Sequence, residues 1–166
     1  WRQTLASKGI HDPQSERDAS DIYWHYRLQH CRLYDDVIPL LQELAERFPL
    51  CLLTNGAPSM QRAKVAASGI TPFFQHVFVG GDFPRGKPDA QIFHAALTAT
   101  QCQPEEAIHI GDSLIHDIAG ARGVGVHGVW LNRKDARWQD FVKDESSGPD
   151  FTITTLAQLT ECMTRI

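Results

Sequence analysis

The sequence predicts an α/β protein built on a doubly wound parallel sheet, and three observations predict it. From residue 49 onward, short apolar runs alternate with helix-like segments at spacings of about 20 to 30 residues, the pattern of repeated βα units. The runs are apolar at consecutive positions, as strands covered on both faces require. Several of them end abruptly in polar residues, and in an open parallel sheet the carboxyl ends of the strands are where ligands bind.

The elements follow in order. Residues 1 to 47 contain no strand pattern: "ASDIYWHYRLQHCRLY" (19–34) and "DDVIPLLQELAERF" (35–48) read as helical, and the first 30 or so residues as a helical cap. The division expected is a partial cap over 1–33 and an α/β core over 34–166. "LCLLTNG" (50–56) is a strand ending in turn residues, and "PSMQRAKVAASGI" (58–70) a helix with Pro58 in its first turn and Gly69 as its stop. "HVFVGGD" (76–82) is a strand, followed by a helix over "KPDAQIFHAALTAT" (87–100) with Ile92, Ala95, Ala96 and Ala99 at helical spacing. "AIHIGD" (107–112) and "HGVWLN" (127–132) are strands flanking the helix "LIHDIAGAR" (114–122). "KDESSGPD" (143–150) is a polar surface loop, and "FTITT" (151–155) with a short terminal helix completes the pattern.

Composition narrows the function. A hydrophobic content of 42% over 166 residues supports one sizeable core. A net charge of −4 with no Lys/Arg cluster excludes a nucleic-acid footprint. No apolar stretch approaches the roughly 18–20 residues that span a bilayer, so no membrane partner is expected. Cys31, Cys51, Cys102 and Cys162 are widely spaced and read as reduced thiols of a cytoplasmic protein. Residue 1 is Trp1 and not Met, which suggests that sequence upstream has been removed or left out of this numbering.

Three strand ends carry the chemistry. Thr54, Asn55 and Gly56 offer a hydroxyl, a small amide and a flexible backbone, which suit a bound phosphate. "GKPD" offers Lys87 as a single positive charge ahead of a helix, and "GDSLIHD" places Asp112 at a strand end and Asp117 on the first helical turn. Two carboxylates and a lysine on one rim make sense where a divalent cation meets an anion. Mg²⁺ prefers carboxylate oxygens and shares itself with substrate phosphates, and a lysine neutralises charge that shifts during transfer. Asp112 would hold the metal, while Asp117 would orient its water or pair with Lys87.

Taken together and in this order, "LLTNG", "GKPD" and "GDSLIHD" resemble the second, third and fourth motifs of the haloacid dehalogenase superfamily, over nearly the whole chain from residue 34. The surrounding wording is most similar to its phosphatases with a helical C1 cap, the N-acylneuraminate-9-phosphatase and nucleotidase-like branch. The resemblance implies a Rossmann-like core with a partial C1 cap and Mg²⁺-dependent hydrolysis of a small phosphorylated metabolite through an aspartyl-phosphate. Thr54 would bind the phosphate, Lys87 would hold phosphate and nucleophile, and Asp112 would ligate the metal with Asp117 in support. The superfamily's first motif, D-x-D on a central strand, does not occur in these residues. That strand would lie between those ending at Thr54 and Asp112, and without it two rows of buried backbone groups lose partners at about 1–3 kcal/mol each. An N-terminal segment or a second chain is therefore expected to supply it, and these residues alone would be inactive.

Other readings weigh against these. A metal-independent 2-haloacid dehalogenase shares Lys87 and Asp112, and the absent D-x-D would permit a non-catalytic binding protein. "GVGVHG" (123–128) matches G-x-G-x-x-G but joins a helix to a strand, the reverse of the dinucleotide fingerprint, and reads as a helix stop. His109 and His116 flank Asp112 as a transition-metal site would require, yet packed or surface histidines explain them as well. Tyr23, Trp24 and Tyr26 read as helix packing, with a pocket under the cap as the alternative.

Overall fold

The computed structural model describes residues 1–134, 136, 137, 139 and 148–165; residues 143–147 of the expected polar loop lie outside them. Two helices open the chain, α1 (Arg2–Ala6) and α2 (Pro13–Gln29). The start of α2 is set by Asp12, whose carboxylate accepts from the backbone N–H of Gln14 and Ser15 at 3.1 and 2.9 Å, with Pro13 in the first turn. The helix thus starts at residue 13 and stops at Gln29, whereas the sequence pattern placed it over 19–34; the difference is the cap, which the apolar spacing does not reveal. Neither helix contains a buried residue, and Tyr23 and Tyr26 are exposed.

From α3 (Val37–Ala45) the βα alternation takes over: β1 (Cys51–Thr54), α4 (Pro58–Ala67), β2 (His76–Val79), α5 (Ala90–Thr100), β3 (Ile108–Gly111), a helix over 114–122, β4 (His127–Leu131), β5 (Phe151–Ile153) and α7 (Leu159–Met163). The 114–122 helix opens as a π-helix, Leu114–Ala119, and ends as α6, Gly120–Arg122. Helix α5 begins at Ala90 and not at 87. The Asp89 carboxylate accepts from Gln91 N–H at 3.0 Å as its cap, and the Lys87 backbone is held by Asn55, so 87–89 stay outside the helix.

All strand pairs are parallel, as predicted, but they form two ladders, β2 with β1 and β3–β4–β5 in that order. The break falls between β1 and β3, where the resemblance puts a further strand. Burial follows it: β4 holds three fully buried residues in its middle, while every residue of β1 and β3 is only half-buried.

Helices cover both faces, which is the doubly wound arrangement. On one face Leu40 and Leu44 of α3 and Leu159 of α7 pack with Val129 and Ile153, and Ile108 and Ile110 of β3 lean on the same cluster. On the other, Ile92 and Phe93 of α5 meet Ala121 and Val126, flanked by Leu53 and Phe78. Strand alternation therefore turns His109 and Gly111 toward the α5 face. Among the described residues, no helix is long and apolar enough to cross a membrane.

Asp36, just before α3, joins distant parts of the core. Its carboxylate takes two hydrogen bonds from Arg133 Nη2 at 2.7 and 2.9 Å and one from Leu156 N–H at 2.9 Å. The Arg133 hydrogen bonds are the main reason that its carboxyl sits below the ordinary carboxylate range. Asp36→Ala is expected to lower stability by about 1–3 kcal/mol in urea unfolding. A depressed folded-state pKa stabilises above the unfolded value near 3.9, so the difference from the unmodified chain should shrink as pH falls below about 4.

Candidate functional site

The carboxyl ends of β1 and β3 meet through one side chain. Lys87, in the loop between β2 and α5, reaches back so that its Nζ donates to the Leu53 carbonyl of β1 at 2.8 Å and lies 2.6 Å from Asp117 Oδ1. Both side chains of the ion pair are largely buried, 10% and 7% exposed. An ammonium carries three N–H donors, so one of Lys87's has no acceptor among the described residues.

Lys87 is held in place by its backbone. The Asn55 amide makes a reciprocal pair with it, Nδ2 donating to Lys87 O at 2.8 Å and Oδ1 accepting from Lys87 N–H at 2.8 Å. Gly80 and Gly86 make room for that amide: a Cβ at either would lie 2.5 or 2.4 Å from Asn55 Oδ1. The Asn55 side chain therefore serves to place Lys87, while Gly56 follows it at φ +122°, a backbone angle suited to glycine. Thr54 is half-buried at the end of β1, with a long hydroxyl contact to Asn55 O at 3.4 Å.

Asp117 is fixed from three sides. Oδ1 takes Lys87 and His109 Nε2 at 3.3 Å, and Oδ2 accepts from Ser113 N–H at 3.0 Å. The wide first turn of the π-helix, with Asp117 and Ile118 N–H both on Ser113 O, brings the carboxylate back over the strand end. Gly111 permits this, since a Cβ there would lie 2.3 Å from Asp117 Cγ. Burial pushes the Asp117 carboxyl up, but the His109 hydrogen bond and the Lys87 charge outweigh it and hold it well below the ordinary range. The group is a carboxylate at neutral pH.

Asp112 differs. It is exposed beside Gly111, its carbonyl accepts from Trp130 Nε1 at 3.0 Å, and its carboxylate has no partner among the described residues. A free carboxylate at the rim is the hard oxygen donor that Mg²⁺ accepts alongside water and substrate oxygens. No group of three His, Cys, Asp or Glu that could hold a metal occurs among the described residues. His116 is exposed, and His109 turns to Asp117 and Phe93, so the two histidines form no such site.

Thr54, Lys87, Asp112 and Asp117 thus share one rim, linked by the Lys87 contacts to β1 and to the β3 end. Sequence reasoning missed three contributors: His109, set aside as packing; Gly111, the space for Asp117; and Ser113, whose N–H holds it. The alternation of β3 was the available signal for His109, because it puts that ring on the Gly111 side.

The model of a family described as haloacid dehalogenase-like hydrolase matches residues 2–125. The chain is 37% identical over 134 residues to a phosphoserine phosphatase of Thermus thermophilus, covering 80% of this chain and 53% of that protein. It is 33% identical over 136 residues to the N-acylneuraminate-9-phosphatase of Mus musculus, covering 80% and 55%. Among solved structures, a 2-haloacid dehalogenase from Pseudomonas syringae superposes with a TM-score of 0.77 at 31% identity, covering 92% of this chain and 61% of that one. A magnesium-bound HAD-hydrolase from Bacillus subtilis superposes with a TM-score of 0.76 at 27% identity, covering 85% and 60%. The chain spans about half the length of the curated relatives it matches.

If Asp117 is the keystone of the rim, Asp117→Asn leaves the Lys87 charge buried and should cost about 3–5 kcal/mol in denaturant unfolding. Gly111→Ala, whose methyl would overlap the same side chain, should also lower stability, and an unchanged denaturation midpoint for Asp117→Asn would argue against the keystone role.

Proposed function

Because this chain belongs to the haloacid dehalogenase-like hydrolase family, we propose that the protein is a Mg²⁺-dependent phosphomonoester hydrolase acting on a small phosphorylated metabolite. The observation that carries the reading is the Lys87 ammonium, buried against Leu53 O and Asp117 with one N–H to spare, beside the free carboxylate of Asp112. Relatives named as phosphatases support it, including those acting on phosphoserine, N-acylneuraminate 9-phosphate and glyceraldehyde 3-phosphate.

In this reading the remaining N–H of Lys87 and the Thr54 hydroxyl bind the phosphoryl oxygens, and Gly56 lets the backbone approach them. The Lys87 ammonium, paired with the Asp117 carboxylate, neutralises charge on the phosphoryl group during transfer. Asp112 would hold the magnesium ion, which supplies further charge neutralisation and orientation of the phosphate. The nucleophilic aspartate, which forms the aspartyl-phosphate that water then hydrolyses, belongs to a further strand.

That strand, from an N-terminal segment or a second chain, would occupy the break between β1 and β3. The half-burial of both strands supports this, because strands at the centre of a covered sheet are ordinarily its most buried. Seated there, it would pair two open edges and deliver its carboxylates beside Lys87.

A second reading, metal-independent hydrolysis of a 2-haloacid, is favoured by the likeness to the Pseudomonas syringae dehalogenase. One experiment separates them. The full-length protein is expected to release phosphate from members of a broad phosphomonoester panel only with Mg²⁺. Lys87→Met and Asp112→Asn should each lower kcat by about 100-fold or more. Folded protein that releases no phosphate from any panel member overturns the proposal, and metal-independent halide release would favour the second reading.

A further inference from the structure

Two of the three donors on Asp117 have evident origins: Lys87 belongs to the rim, and Ser113 N–H is the backbone of the helix that Asp117 itself sits on. The third, His109, is a side chain in the middle of a strand, and nothing in the reading above gives it a task. Its ring is 13% exposed and stands edge-on to Phe93 at 5.2 Å between centroids and 82° between planes. Phe93 is itself only 2% exposed. Apolar side chains would fill such a place without desolvating a ring nitrogen. The one polar contact of the ring among the described residues is Nε2 on Asp117 Oδ1, 3.3 Å away. A carboxylate only accepts, so Nε2 carries the proton.

We infer that His109 is a positioning residue: by donating to Asp117 it fixes the carboxylate plane, and through Asp117 it fixes the Lys87 ammonium at the phosphoryl site. The inference rests on the phosphatase reading for its kinetic consequence and on the geometry alone for the clamp itself. A carboxylate turns easily about its terminal torsion, which is broad and nearly two-fold. Ser113 N–H holds Oδ2, but Lys87 on Oδ1 is the end of a long flexible chain and is the group to be positioned. Without His109, Oδ1 has no rigid donor and can follow the ammonium instead of directing it. Strand β3, anchored through Ile108 and Ile110 on the opposite face, provides the fixed point. After burial, which acts in the opposite sense, the His109 hydrogen bond is the largest influence on the Asp117 carboxyl.

The test compares His109→Phe, which keeps the ring packed on Phe93 but lacks the donor, with His109→Gln, which restores an N–H near Nε2. In the full-length protein with Mg²⁺, the phenylalanine variant is expected to lose about tenfold in kcat, equivalent to about 1.4 kcal/mol, with KM within about twofold. The glutamine variant should recover to within about threefold of the unmodified enzyme. A phenylalanine variant with unchanged kcat, or a glutamine variant no better than it, would overturn the inference. Equal losses that follow thermal stability alone would mean packing and also overturn it.

The Lys87 ammonium provides a readout that needs no turnover. Its N–H signal in ¹H–¹⁵N spectra should be sharp in the unmodified protein and the glutamine variant and exchange-broadened in the phenylalanine variant. Should the unmodified protein hydrolyse no phosphomonoester, the phosphatase reading fails by itself. The clamp then stands if these spectra differ as expected and falls if all three are the same.

Discussion

The ion pair between Lys87 and Asp117 is the contact on which the described arrangement depends. Within the described residues no backbone ladder joins β1 to β3, yet Lys87 Nζ touches the last carbonyl but one of β1 and a carboxylate anchored over the end of β3. A buried ion pair is an inefficient source of stability, because desolvating both charges offsets much of their attraction. Satisfying both ends with further hydrogen bonds reduces that cost, and here Leu53 O, His109 and Ser113 do so. The result is an ammonium held between fixed acceptors, at a rim where a carboxylate is left free.

Around this pair the chain uses missing side chains as deliberately as present ones. Gly111 leaves the space that Asp117 fills, and Gly80 with Gly86 leaves the space for the Asn55 amide. Asn55 in turn grips the backbone of Lys87. The consequence is a division of labour among neighbouring residues: Thr54 and Lys87 bring donors to the rim, while Asn55 and Asp117 hold one of those donors still. His109 extends the same logic one layer deeper, from a strand whose opposite face is fixed in the core.

The open edges of β1 and β3 give the fold a local weakness that matches its chemistry. Strand β4, two positions from the break, is sealed by helices on both sides, with Val129 and Trp130 at 0% and 5% exposure. The strands that border the break, and carry the rim at their ends, are half-buried at every position. A strand seated between them would complete both the sheet and the constellation at one stroke, which is the physical basis for proposing that the two arrive together.

The α/β class and the succession of strands along the chain are legible in the sequence by itself, because apolar runs are local patterns. Thr54 and Asp112 stand out as polar residues at the ends of such runs, and Lys87 and Asp117 in the segments that follow them. Helix starts were less legible: Asp12 and Asp89 set them through carboxylate caps, and hydrophobic spacing is blind to a cap. Only the tertiary structure decided what each rim residue touches. Asn55 turns to the Lys87 backbone 32 positions away, and His109 meets Asp117 because of strand alternation and a π-turn. Those outcomes depend on which groups are left to satisfy one another once water is excluded, and that is settled by the packing of distant segments and not by neighbours along the chain.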